Sequence, residues 1–242
     1  MLAFFHLAVY QPLYNILVFL YNVVPGHDFG IAIILTTIIL KTLFIPLSKK
    51  QIESQKRLQE MQPKIKEIQQ KYKNDKEKQT KELMGFYKAN KTNPFSGCLP
   101  LVVQLIFLIA IYRILFNISS AGLTVRSEDL YSFVFNPGTV NKLFLGIVDL
   151  AKPSIPLAVL AAAAQYIQSK MLMKGKKEEK KEAAGGPNFT EIMNKQMLYL
   201  GPFLTLFIGI KFAAGLALYW LVSTLFMILQ QVYIIKKESK KL

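Results

Sequence analysis

The chain has 242 residues, 52% of them hydrophobic, and a formal net charge of +15 from 30 Lys and Arg against 15 Asp and Glu. Its apolar residues come in long blocks with a positive mean hydropathy of +0.30, which excludes a soluble domain and indicates a polytopic helical membrane protein. A single cysteine excludes a disulfide framework, and His6 and His27 stand far from any second His or Cys, so no metal or other cofactor is expected.

The opening segment, residues 1–27, is apolar but has no Lys or Arg, which argues against a secretory leader. Pro12 interrupts it, and Tyr10, Gln11, Tyr14, Asn15, Tyr21 and Asn22 supply polar and aromatic positions. That pattern predicts an amphipathic helix along the outer membrane interface, with a sixth span as the competing reading. Residues 28–48 form the first expected span, and Lys41 stands inside it. A charge in the bilayer centre costs roughly 2.5–3.5 kcal/mol on insertion scales. Either Lys41 snorkels towards the polar boundary at Ser48, roughly 10 Å away, or it faces a wet cavity between helices. This segment alone leaves both open.

Residues 49–94 are polar, helix-forming and basic, with 13 Lys and Arg. Leu58, Met61, Ile65, Ile68 and Tyr72 recur at the spacing of a coiled-coil seam. Pro63 should kink this helix, Asn74-Asp75 should turn the chain, and a second helix from about Lys76 to Lys91 could fold back on the seam. The lysines either hold a solvated hairpin inside the cell or form a contact surface for anionic headgroups or ribosomal RNA.

Further spans are expected at 95–117, 154–173, 196–213 and 215–235, separated by an outer loop at 118–153 and a low-complexity cytoplasmic loop at 174–195, with a basic tail at 236–242. The third span is weak, being alanine-rich with Gln165 and Gln168. Of the 30 basic residues, 24 fall in 49–94, 170–195 and the tail, all on one side if the chain crosses five times. The positive-inside rule then places the N-terminus outside and the C-terminus in the cytoplasm. The fold class is all-α: five transmembrane helices, an N-terminal interfacial helix and a cytoplasmic helical hairpin.

Several blocks carry a resemblance. They are "QPLYNIL" near the start, "IPLSKKQ" ending the first span with "MQPKI" after it, and "AAGLALYWLVSTLFMILQQ" in the last span. Between them stand Phe86-Tyr87-Lys88, Asn93-Pro94, Gly97-Cys98, Pro100 and Gln104. In order and spacing the chain resembles the YidC family of membrane protein insertases, over nearly its whole length. The resemblance implies a non-enzymatic insertase in a bacterial plasma membrane. Five spans would enclose a hydrophilic groove, open to the cytoplasm and to lipid, and work without nucleotide hydrolysis. It implies nascent membrane proteins, a docked ribosome, anionic lipids and the Sec translocon as partners, and no DNA. Lys41 takes the place of the groove's basic residue, where arginine is commoner. Arginine holds its charge, whereas a desolvated lysine can lose a proton, so the departure bears on the strength of the charge and not its sign. From the length of the chain the large outer domain of some members is not expected, and with no cysteine near the start a lipid anchor is not expected either.

The expected groove residues are Lys41, Thr37, Gln104, Gln165, Gln168, Tyr219, Trp220, Ser223 and Thr224. Thr37 and Ser48 share the helical face of Lys41, and Gln165 and Gln168 lie three apart on another. Each glutamine could instead be interhelical glue, Trp220 could be a lipid-facing anchor, and Arg113 reads as snorkelling. The expected ribosome or lipid contacts are Lys71, Lys73, Lys76, Lys78 and Lys81, with Lys236, Lys237, Lys240 and Lys241 in the tail. The alternative function is a small-solute or ion transporter, but apart from Asp28 at the edge of the first, no Asp or Glu lies within the expected spans. An intramembrane enzyme finds no H-E-x-x-H, G-x-S-x-G or carboxylate pair.

Overall fold

A computed structural model describes residues 2–90, 92, 99–173 and 189–239. Of the expected loop 174–195, residues 174–188 lie outside the described residues, as do Asn93-Pro94, Gly97-Cys98, and Lys240 and Lys241 of the tail, while 189–195 are helical and not loop. Ten helices, α1 to α10, and one two-stranded sheet are described.

The chain opens with α1 (Leu2–Phe5), a π-helical turn (His6–Tyr10) and α2 (Gln11–Val23). Pro12 does not break it. Pro12 has no N–H to give the carbonyl four residues back, and the turn before it widens instead, with the Gln11 N–H bonding His6 O. The segment Ala3–Val23 is long and apolar enough to cross a membrane, although the sequence reading laid it along the interface. Its polar residues also have another use. Tyr10, Tyr14, Asn15 and Tyr21 are buried against the loop 118–153.

Helix α3 (Phe29–Leu43) starts on an Asp28 cap, whose carboxylate accepts from Ile31 N at 3.0 Å. The span expected over 28–48 is not one straight helix. At Phe44 (φ −91°, ψ 8°) it leaves helical geometry, and α4 (Ile45–Glu60) departs at 64°. Pro46 is the physical reason, since it cannot donate to the Thr42 carbonyl and its ring crowds that turn. The next helix, α5 (Gln62–Lys71), begins after Met61 with Pro63 in its first turn, so the expected kink falls at Met61. After Tyr72 the chain turns, and α6 (Lys76–Ala89) starts on an Asp75 cap that accepts from Lys78 N at 3.0 Å. Helix α6 lies back along α5, with Gln79 Nε2 donating to Gln69 O at 2.7 Å and Thr92 Oγ1 to Met61 Sδ at 3.6 Å. Of the seam residues Ile65 is buried, and Leu58, Met61, Ile68 and Tyr72 are half-buried.

The remaining long helices are α7 (Leu99–Ser120), α8 (Ile155–Met173), α9 (Phe189–Lys211) and α10 (Ala214–Ser239). By length and composition Val102–Ser120 and Ala214–Ile234 could each cross a membrane, as could Ala3–Val23 and the bent α3–α4 pair taken together. This is a multi-pass membrane protein built almost wholly of helices. Helix α10 sits centrally, packing on α3, α7, α8 and α9. Small residues permit the closest approach: a Cβ on Gly209 would lie 2.7 Å from Ala158 Cβ, so α8 and α9 touch backbone to backbone there.

The loop 118–153 departs from the all-α expectation. It holds an antiparallel pair, β1 (Leu143–Phe144) and β2 (Val148–Asp149). Two-residue strands are too short to show alternating hydropathy in a sequence. The loop caps the bundle at the N-terminal end of α3. Phe144 packs on Gly30, whose hydrogen leaves the only space a ring could take, since a Cβ there would meet Phe144 Cδ2 at 2.2 Å. The loop also supplies carbonyls to the free N–H groups opening α10, from Lys152 O to Ala214 N (2.8 Å) and from Leu150 O to Gly215 N (3.1 Å).

Candidate functional site

Helix α3 carries two polar side chains towards α10 and α7. Thr37 is buried and folds its hydroxyl back on Ile33 O (2.7 Å). One turn on, the half-buried Lys41 extends its ammonium to Gln104 Oε1 of α7 at 2.9 Å. The Gln104 oxygen also accepts from Ser223 Oγ of α10 at 3.1 Å. A second glutamine repeats the arrangement: Gln165 Oε1 of α8 accepts from Trp220 Nε1 at 3.2 Å and Thr224 Oγ1 at 3.4 Å. Lys and the Trp indole can only donate, so both amide carbonyls must face them, and both amide NH2 groups turn the other way.

These groups line one cavity of about 310 Å³ between α3, α4, α7, α8, α9 and α10. Its walls mix apolar side chains (Leu40, Phe44, Phe107, Leu200, Leu204) with the polar set, and no Asp or Glu lines it among the described residues. Lys41 therefore has a neutral hydrogen-bond acceptor in Gln104 and no counter-ion among the described residues of the cavity wall. A polar space of this size admits water, which lowers the cost of the charge.

Residues 19–241 match the family model described as 60Kd inner membrane protein. The chain belongs to the 60Kd inner membrane protein family. A curated relative from Fusobacterium nucleatum, named membrane protein insertase YidC, is 32% identical over 96% of this chain and 98% of its own length. Relatives of the same name from Syntrophus aciditrophicus and Pelobacter propionicus are 36% and 33% identical over 94% and 95% of this chain. The chain spans only 36% and 39% of the length of those two. The resemblance read from the sequence motifs holds at the level of the family.

In this member of the 60Kd inner membrane protein family, the nine residues singled out from the sequence (Lys41, Thr37, Gln104, Gln165, Gln168, Tyr219, Trp220, Ser223 and Thr224) all line the one cavity. Trp220 is buried and bonded to Gln165, not turned to lipid. Arg113 is exposed, with its guanidinium 5.5 Å from the Phe5 ring centre. Sequence reasoning missed Gln51, Ser169 and Gln231, which also line the cavity. Gln51 and Gln231 stand inside quoted motifs, so the signal was present, but only the bend at Phe44 brings α4 under the cavity. Gln51 Nε2 is buried without a hydrogen-bond partner among the described residues, a donor that water in the cavity would satisfy.

The lysines expected to meet RNA or lipid do not join this cavity. Lys71, Lys73, Lys76, Lys78 and Lys81 are exposed at the far end of α5 and on α6. Lys236 and Lys237 lie in the last turns of α10.

Proposed function

We propose that the protein is a membrane protein insertase whose Lys41 cavity is the hydrophilic groove that receives the polar tail of a nascent helix. The observation that carries this reading is a cation inside the bundle, held by the neutral Gln104 and facing a space roomy enough for water, with no carboxylate among the described residues of its wall. A polar tail crossing oil loses its hydration, and a wet recess partway across lowers that cost. Lys41 attracts acidic residues in the tail and releases them as the apolar segment enters lipid. Partitioning of that segment drives the step, with the membrane potential where present, and no nucleotide is hydrolysed. The family relatives named membrane protein insertase YidC support the same reading.

The basic face of α5 and α6 and the tail lysines serve as the cytoplasmic contact for a ribosome and for anionic headgroups, and the Sec translocon is a further partner. The N-terminus and the 118–153 loop lie outside, and the C-terminus lies in the cytoplasm, of a bacterial plasma membrane. A transporter would call for a paired acid, and the described residues of the cavity wall include none. The experiment is cell-free synthesis of a short single-span protein in the presence of vesicles holding only this protein. Protease protection of the product supports the insertase, whereas selective solute flux with no protection supports the transporter.

A further inference from the structure

The turn joining β1 to β2 exposes what a loop in water hides. Leu145 and Ile147, on either side of Gly146, are 62% and 83% exposed, while Phe144 beside them is tucked against Gly30. The backbone reverses with positive φ at both central residues, Leu145 (53°) and Gly146 (71°), and Ile147 N bonds Phe144 O at 3.0 Å. This is the signature of a type I′ turn, whose first central position favours Asn, Asp or Gly. A leucine there adopts a backbone region that L side chains rarely enter. It is held by its N–H, which donates to the Asp28 carboxylate at 2.6 Å. The turn therefore places a leucine outward at a position where a small polar residue would fit with less strain.

Its location gives the reason. Asp28 is the cap of α3, and Gly30 belongs to its first turn, so the hairpin tip stands at the level where an apolar helix begins. The hairpin's carboxylate, Asp149, is engaged by Lys142 at 3.0 Å, and the Asp28 carboxylate beneath its tip is engaged by Ile31 N and Leu145 N. Neither is left free to repel a phospholipid headgroup. Two side chains form a patch far smaller than the roughly 800 Å² per side of a specific protein interface. They suit the headgroup–acyl boundary, which rewards apolar side chains one at a time.

We propose that the Leu145-Gly146-Ile147 turn is a lipid anchor: its two apolar side chains dip into the leaflet in which α3 begins and hold the 118–153 cap on the membrane. This inference does not depend on the insertase reading. The test is spin labelling at Ile147→Cys and Leu145→Cys in a Cys98→Ser background, in vesicles of phosphatidylcholine and phosphatidylglycerol. Ser127→Cys serves as the loop reference and Leu35→Cys, on an exposed face of α3, as the acyl-chain reference. The labels at 145 and 147 are expected to be relaxed by oxygen several-fold more effectively, relative to a water-soluble nickel chelate, than the label at 127. A label at 147 as open to the chelate as that at 127 overturns the proposal. Protection that disappears at one copy per vesicle assigns the patch to a second copy of the chain and overturns it as well.

Discussion

Lys41 and Gln104 meet ammonium to carbonyl at 2.9 Å, and the same carbonyl oxygen holds Ser223 Oγ at 3.1 Å. A neutral amide fixes the position of the cation without cancelling its charge. Gln104→Glu would place a carboxylate at that distance and pair it. A hydrogen bond to a charged group contributes about 1.5–3 kcal/mol, so insertion of an acidic-tailed single-span protein into vesicles should fall on the order of tenfold. Lys41→Leu should fall similarly, and Lys41→Arg should retain activity. Neutral-tailed substrates should lose less in each variant. Full activity of Lys41→Leu on acidic tails would return Lys41 to a snorkelling role.

Helices α8 and α9 can approach only because position 209 lacks a side chain. In Gly209→Ala the new carbon would meet Ala158 Cα, a backbone atom, at 2.9 Å, with no flexible end to give way. Overpacking of this kind costs about 1–3 kcal/mol. Gly85→Ala, in α6 with nothing within 4 Å of the new carbon, should instead be neutral or stabilising by about 0.5–1 kcal/mol. Thermal unfolding of the two variants in the same detergent reads the contrast.

Asn15 bridges α2 to the loop twice: its Nδ2 donates to Asp129 O (2.9 Å), and its Oδ1 accepts from Tyr131 N (2.7 Å). Asn15→Leu orphans both backbone groups in a buried place, at a cost of about 1–3 kcal/mol. The loop 118–153 should become sensitive to protease while the helices stay protected. Asn22→Leu, whose bond to Phe135 O is exposed, should leave cleavage near the wild-type rate.

Asp149 gives the loop a pH dependence. Burial pushes its carboxyl up, but the Lys142 ammonium, the Ala151 N–H and the charge of Lys152 together hold it below the usual carboxylate range. A depressed folded-state pKa contributes stability that is present above the unfolded value of about 3.9 and is lost as pH falls through the folded one. The pair is partly exposed, so its contribution is at most about 1 kcal/mol. Asp149→Asn should lower the melting temperature at neutral pH, and the difference from wild type should vanish in acid. A constant difference down to pH 2 would remove the pair from the account.

The arm is expected to act through charge. Deletion of residues 51–90 should leave the bundle folded but weaken insertion and co-sedimentation with ribosomes, and raised salt should reproduce the second effect in the intact chain. Unchanged insertion by the deletion variant would reduce the arm to a solvated surface.

Most of the helices were legible because membrane burial writes itself into composition. Runs such as 102–120 and 214–234 are apolar over the length that lipid demands, and Asp28, Asp75 and Pro63 mark helix starts by local chemistry. The polar positions of the cavity were legible for the same reason, since Lys41, Gln104 and Gln165 stand out in apolar runs. Tertiary structure alone decided which of them meet. Gln104 and Ser223 are 119 residues apart, and Gln165 and Trp220 are 55 apart, and no local periodicity encodes such pairings. The bend at Phe44 depends on where Pro46 falls against packed neighbours, and it brings Gln51 to the cavity. The polar side of α2 has two sufficient solvents, a lipid interface or a protein loop. Only the folded chain shows that Tyr14, Asn15 and Tyr21 spend their hydrogen bonds on the loop, because a donor's need is local but its partner is chosen by the packing.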